Sequence, residues 1–251
     1  MISKNQIKFL KSLLLKKNRL KHKQVILEGY RLIEEAIKAN IDIKYIVLTK
    51  EECNKIQKRK LFYKKDLRII SNQDLKKISD IKTSQGILAL VNISQYQNKQ
   101  LANISNENII ILDGVQDSGN LGTIFRTCVW FGIKSIILTS NSIDPFNLKC
   151  IRSGMGSHFY LQNIIQTGPE EVIQYLTDNN YNIIVADLEG KNISNLNIEN
   201  KWALILGSEA HGVSKCFNKF ERVTINKFGK IESLNVSIAC GIFLNKLVNH
   251  Y

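Results

Sequence analysis

The sequence predicts an α/β protein: a small α/β unit in front, followed by a larger one built on a mostly parallel sheet. Three observations carry this. Strand-like and helix-like segments alternate along the 251 residues, as they do where helices cover sheets. A polar stretch over residues 95–106, with Gln95, Gln97, Asn98, Lys99, Gln100 and Asn103, interrupts the alternation and reads as a linker. Beyond it the strands become unbroken apolar runs, the mark of strands buried on both faces. The expected units are therefore residues 1–94 and 107–251.

In the front unit, Ile7, Leu10, Leu13 and Leu14 recur at helical spacing. Residues 4–16 should form an amphipathic helix with a lysine-rich outer face. A strand over 24–27, a helix over 28–39 and a strand over 43–48 follow. A short strand at 67–70, a helix at 72–78 and a strand at 87–91 complete the unit. In the rear unit, the runs 108–112, 135–138, 182–186 and 202–206 are expected strands, with helices near 121–131, 169–176 and 235–248. The last helix is apolar on most sides (Val236, Ile238, Ala239, Ile242, Phe243, Leu247). That suits burial within the unit or against another subunit.

With 44% hydrophobic and 23% charged residues, the chain can bury a core and is not disordered as a whole. No apolar run approaches the roughly 20 residues a bilayer requires. Lys8, Lys11 and Ser12 break up the only early candidate for a secretory signal. A soluble, cytoplasmic protein is expected. The five cysteines (Cys53, Cys128, Cys150, Cys216, Cys240) are scattered and form no Cys-x-x-Cys pair. Neither a zinc site nor a disulfide framework is expected.

The net charge is +13 but unevenly spread. Residues 1–100 hold 23 Lys and Arg against 9 Asp and Glu, whereas residues 101–251 hold 12 against 13. A basic front joined to a neutral rear points to contact with a polyanion: RNA, DNA or an anionic membrane surface. The densest basic run is Lys16, Lys17, Arg19, Lys21 and Lys23.

Glycine loops narrow the chemistry. Gly154-Met-Gly156 begins like a dinucleotide fingerprint, but Phe159 stands where its third glycine belongs, and no phosphate loop ending in Gly-Lys-Ser/Thr occurs. Ordinary nicotinamide and ATP sites are disfavoured. Gly207-Ser-Glu-Ala-His-Gly212 directly follows an expected buried strand, where glycine lets backbone approach a ligand. Residues 113–122 leave another such strand and run into a helix carrying Arg126. Residues 231–237 open the last helix and bring Ser233, Asn235 and Ser237 to a helix start, where free N–H groups are available. Caps and turns explain each segment singly; together they describe a site at a sheet edge.

Those segments resemble the SpoU (TrmH-like) family of RNA ribose 2′-O-methyltransferases, within the knotted SPOUT superfamily. Residues 113–126 are similar to the family's first motif, residues 202–212 to its second, and residues 223–236 to its third. Arg152-Ser-Gly-Met-Gly156 resembles an intermediate family segment. Leu27-Glu-Gly29 and Lys82-Thr-Ser-Gln-Gly-Ile-Leu88 resemble the RNA-binding substrate domain of many members.

The resemblance implies a C-terminal trefoil knot, a homodimer joined through the last helices, and S-adenosyl-L-methionine as cofactor. It implies Arg126, Asn120, Glu209 and Asn235 as catalytic residues. Gly207, Gly212, Ile225, Leu234 and Ser233 would bind the cofactor. Lys16, Lys17, Arg19, Lys21, Lys23 and Arg152 would contact RNA. The implied substrate is ribosomal RNA, a 23S-type guanosine; a tRNA ribose methyltransferase and a non-catalytic RNA-binding or ribosome-assembly protein are the alternatives. Ser118 and Asn226 stand where the family generally has proline.

Overall fold

The computed structural model describes residues 1–56, 59–81, 83–198 and 200–248. Lys82 therefore lies outside the described residues. Two sheets form, each wrapped by helices.

The first comprises α1 (Lys4–Ser12), α2 (Lys16–His22), β1 (Gln24–Glu28), α3 (Tyr30–Lys38), β2 (Ile43–Leu48), α4 (Lys50–Ile56), β3 (Leu67–Ile69), α5 (Asn72–Ile78) and β4 (Ile87–Asn92). Its strand order is β1-β4-β2-β3, with β4 antiparallel to both neighbours and β2 parallel to β3. The helix expected over 4–16 is two helices. Ser3 and Gln6 form a capping box at the start of α1. The freed carbonyls beyond its end are taken by side chains: Ser12 O accepts from Asn18 Nδ2 at 2.8 Å, and the Leu13 and Leu14 carbonyls accept from Arg19.

The second sheet comprises β5 (Ile109–Asp113), α6 (Ser118–Trp130), β6 (Ser135–Thr139), α7 (Leu148–Gly154), β7 (Asn163–Thr167), α8 (Pro169–Asp178), β8 (Asn182–Asn192), β9 (Trp202–Gly207), β10 (Glu221–Thr224) and α9 (Val236–Val248). Its order is β10-β8-β9-β5-β6-β7, parallel throughout. β5, β6 and β9 are almost wholly buried, which explains their continuous apolar runs. Asp113 and Gly207 are register partners at the carboxyl ends of β5 and β9. From β5 the chain proceeds towards β6 on one side while β9 lies on the other, so this is a switch point, where α/β sheets open a crevice.

The expected linker lies against the body. Tyr96 is buried with its ring 5.6 Å from that of Phe146, and Ile104 joins the core beneath the second sheet. One continuous apolar cluster includes residues of both sheets, from Val25 to Leu247. Among the described residues, polar links cross between the sheets' helices and loops at Arg19–Asp144, at Arg152–Asp80, and where Tyr160 Oη donates to Glu35 at 2.7 Å.

The Arg152 segment is a seam. A Cβ on Gly122 of α6 would sit 2.3 Å from the Cys150 carbonyl of α7, so only glycine permits the crossing. Met155 and Gly156 then turn the chain with positive φ. Among the described residues, no helix is long and apolar enough to cross a membrane and no metal-holding cluster occurs.

Candidate active site

The site begins with the strand ends. Asp113 is buried at the tip of β5, and its two carboxylate oxygens accept from Thr139 Oγ1 at 2.8 Å and from the Ser214 N–H at 2.5 Å. It thereby pins the far end of the loop that leaves β9. Within that loop, Ser208 and Gly212 exchange both backbone hydrogen bonds, 3.0 and 2.9 Å. Gly212 turns the chain at φ 66°. A Cβ on Gly207 would lie 2.2 Å from the Gly212 carbonyl carbon and 2.5 Å from the Val213 nitrogen. Both glycines are thus required by geometry: one for φ, the other for close approach.

Beside this loop lies a cavity of ≈ 380 Å³, within the size range of small-molecule sites. Gly207, Gly212, Ile225, Ser233 and Leu234 all line it, as does Glu209. Leu206, Val236 and Phe243 supply an apolar floor. Asn226 lines the cavity in the place of the family's usual proline. Ser118 opens α6 at the first helical position, where proline is also favoured, and its carbonyl accepts from Ser153 Oγ at 3.1 Å.

Three distant segments meet through side chains at the cavity's edge. Asn120 Nδ2 donates to Glu209 Oε1, and Asn235 Nδ2 donates to Asn120 Oδ1 at 3.0 Å. Asn235 Oδ1 then accepts from the Ser237 N–H at 2.9 Å and Ser237 Oγ at 2.6 Å. The order is dictated by chemistry. An ionised carboxylate only accepts, so it claims the Asn120 amide nitrogen and leaves that residue's oxygen for Asn235. Asn120 does not cap α6. Asp117 does, accepting from the Asn120 N–H at 2.8 Å. That bond, followed by the neighbouring Lys149, holds the Asp117 carboxyl below the usual carboxylate range.

Other expected site residues are not brought here. Arg126 is exposed on α6, does not line the cavity, and its side chain makes no ion pair or hydrogen bond among the described residues. It stands six residues beyond Asn120, about 9 Å further along the helix axis. Glu209 is bonded to Asn120 and not to Arg126.

The assignment of Arg19 to RNA is corrected. It is only 4% exposed. Its Nε and Nη2 donate to Asp144 Oδ2 at 3.2 and 2.5 Å, and Nη1 donates to the Leu13 and Leu14 carbonyls. Four of its five N–H donors are used inside the protein, and the buried side chain presents no surface to a phosphate. Arg152 is committed to Asp80 at 2.5 Å. Lys16, Lys17 and Lys21 are exposed and Lys23 is half-buried, where φ 54° ends α2.

Sequence reasoning passed over two contributors. Asp113 was seen only as the start of a loop, and its clamp on Ser214 reaches 101 residues along the chain. Leu188 lines the cavity because β8 extends to Asn192, whereas its apolar run stops at Ala186.

The model of the SpoU rRNA methylase family matches residues 107–245, more than half of the chain. The chain belongs to that family. The model of the MRM3-like substrate-binding domain matches residues 4–89. The Bacillus subtilis protein named 23S rRNA (guanosine(2553)-2'-O)-methyltransferase RlmP is 30% identical, over 98% of this chain and 97% of that one. A TrmH-family structure from Porphyromonas gingivalis superposes with a TM-score of 0.83 at 30% identity, covering 98% of both chains. An AdoMet-bound rRNA methyltransferase from Sinorhizobium meliloti has the same fold, with a TM-score of 0.85 at 24% identity over 100% of this chain and 96% of its own. As a SpoU-family chain, the protein is an RNA methyltransferase. In the front part, the two segments resembling the substrate domain meet, as the Gly29 N–H donates to the Ile87 carbonyl at 3.1 Å.

Proposed function

We propose that the protein transfers a methyl group from S-adenosyl-L-methionine to a ribose 2′-hydroxyl of ribosomal RNA, a guanosine of 23S type, in the cytoplasm. The observation that carries this is the Glu209–Asn120–Asn235 bridge, which gathers all three motifs at the edge of one cavity. The cavity suits the cofactor. Its floor is apolar, and the Gly207–Gly212 contact leaves backbone where a Cβ would intrude. Gly207, Gly212, Ile225, Ser233 and Leu234 would hold it. When bound, it supplies an electrophilic methyl group on a sulfonium.

The chain's own residues then act on the sugar. The amide network of Asn120 and Asn235 positions the ribose hydroxyl at the cavity edge. Methylation of the hydroxyl oxygen would break the methyl–sulfur bond and leave a neutral thioether, and the hydroxyl proton would leave to a substrate phosphate or to water. Arg126 stabilises the developing alkoxide and pairs with phosphate; a guanidinium keeps its protons and so is not the base.

A homodimer delivers Arg126. Trp130 is 85% exposed on α6, and Ile238 (54% exposed) and Ile242 are exposed on α9, which packs against α6. Exposed apolar side chains on two packed helices suit a second copy, and Arg126 is exposed on the same helix as Trp130. The knot is proposed on the resemblance. It is supported by the path of α9, which follows edge strand β10 yet packs on β9 and α6.

Residues 1–94 would grip RNA through the free lysines of the front part, among them Lys16, Lys17 and Lys21, with 95–106 linking them to the catalytic residues 107–251. Calorimetric titration with S-adenosyl-L-methionine tests the reading. Saturable uptake is expected, and no heat of binding would favour a ribosome-assembly protein on the same fold.

A further inference from the structure

The loop between β10 and α9 places an aromatic ring almost wholly in water. Phe228 is 95% exposed, and Leu188 and Ile231, 66% and 65% exposed, stand with it around the cavity mouth. The neighbouring Gly229 has nothing within 4 Å of where a Cβ would lie, so the loop has open space beside the ring. Lys227 and Lys230 flank Phe228, are exposed, and have no ion-pair partner among the described residues. Of the carboxylates nearby, Asp187 is held by Arg222 at 3.5 Å, and Glu232 is the only one on the loop itself.

A ring between two free cations, at the entrance of a cavity, offers what a single-stranded nucleic acid requires. A base stacks on the ring face, and flanking phosphates meet the ammonium groups. We propose that Phe228 stacks a base of the RNA strand next to the nucleotide entering the cavity, with Lys227 and Lys230 on the adjoining phosphates. The inference rests on the RNA methyltransferase reading of this site. It adds a strand contact in the rear part of the chain, apart from the basic front.

The test measures filter binding of an unmodified large-subunit ribosomal RNA transcript to the full-length protein at several salt concentrations. Phe228→Ala should weaken binding about 10- to 100-fold, the usual loss of one base–aromatic stack. Phe228→Trp should restore it and Phe228→Leu should not, because a π face and not bulk is required. The salt slope should be unchanged in Phe228→Ala and shallower by about 0.7–0.9 in Lys230→Ala, which loses one phosphate contact. S-adenosyl-L-methionine affinity and native mass are measured on the same variants. Weakened cofactor uptake would assign the ring to the adenosyl group, and a changed mass would assign it to a second copy; either overturns the inference. Unaltered RNA affinity in Phe228→Ala, with the wild-type chain still binding RNA and cofactor, overturns it alone. A wild-type chain that binds no RNA overturns it together with the reading beneath it.

Discussion

Replacing Arg19 with alanine would leave the Asp144 carboxylate buried without its counter-ion. The two side chains are 4% and 8% exposed, so solvent screens the pair little. The guanidinium donates twice to Asp144 and once each to the Leu13 and Leu14 carbonyls. Removing one partner of such a pair typically costs about 3–5 kcal/mol, chiefly because the remaining charge stays in a poor solvent. For a chain of this size that lowers Tm by about 10 °C. Arg19→Met combined with Asp144→Asn removes the stranded charge, keeps the Phe146 N–H bonded at the Asp144 position, and should recover a large part of the loss. Thermal melts of the wild type, both single variants and the double variant measure this. An Arg19→Ala variant that melts with the wild type but binds RNA with a salt slope lower by about 0.9, the signature of a phosphate contact, would refute the buried-pair assignment.

Burial pushes the His158 imidazole down to about 4 from 6.5. Between those values the unfolded chain binds a proton that the folded one refuses, so stability is complete above pH 6.5 and declines as pH falls towards 4. The loss is about 3 kcal/mol, and urea midpoints across that range should lose this slope in His158→Gln. Gly207→Ala must displace the Gly212–Val213 backbone and should reduce cofactor affinity about 10- to 100-fold by calorimetry, as buried overpacking costs about 1–3 kcal/mol. Asn120→Asp sets a second carboxylate against Glu209 and removes the donor. Turnover on RNA should fall about 10- to 100-fold, the worth of one charged hydrogen bond, while cofactor affinity changes little.

Much of the fold could be read because its strands are buried on both faces: Ile109 to Leu112 and Trp202 to Leu206 are apolar without interruption. Edge strands carry no such signal. β7 has two isoleucines between polar ends, and β10 (Glu-Arg-Val-Thr) buries one valine. The split of the first helix was hidden for another reason. Its cause is Arg19, whose anchor Asp144 lies 125 residues away, and no local periodicity reports a partner at that distance. The same remoteness made Arg19 look like one more surface cation. The three site segments were readable because each carries glycine or small polar residues beside a buried strand or helix. Their joining through Asn120 was not, since amide-to-carboxylate pairing depends on how the segments fold together.

We propose methyl transfer to a ribose oxygen at the bridged cavity. Incubating the protein with unmodified ribosomal RNA and methyl-labelled S-adenosyl-L-methionine, then digesting the RNA with alkali, tests it most directly. Alkaline cleavage uses the 2′-hydroxyl, so a methylated ribose protects the adjoining linkage. Label is expected in alkali-resistant dinucleotides, at a single guanosine. Label released in mononucleotides, as from a methylated base, or no transfer by a chain that binds both RNA and cofactor, would contradict it.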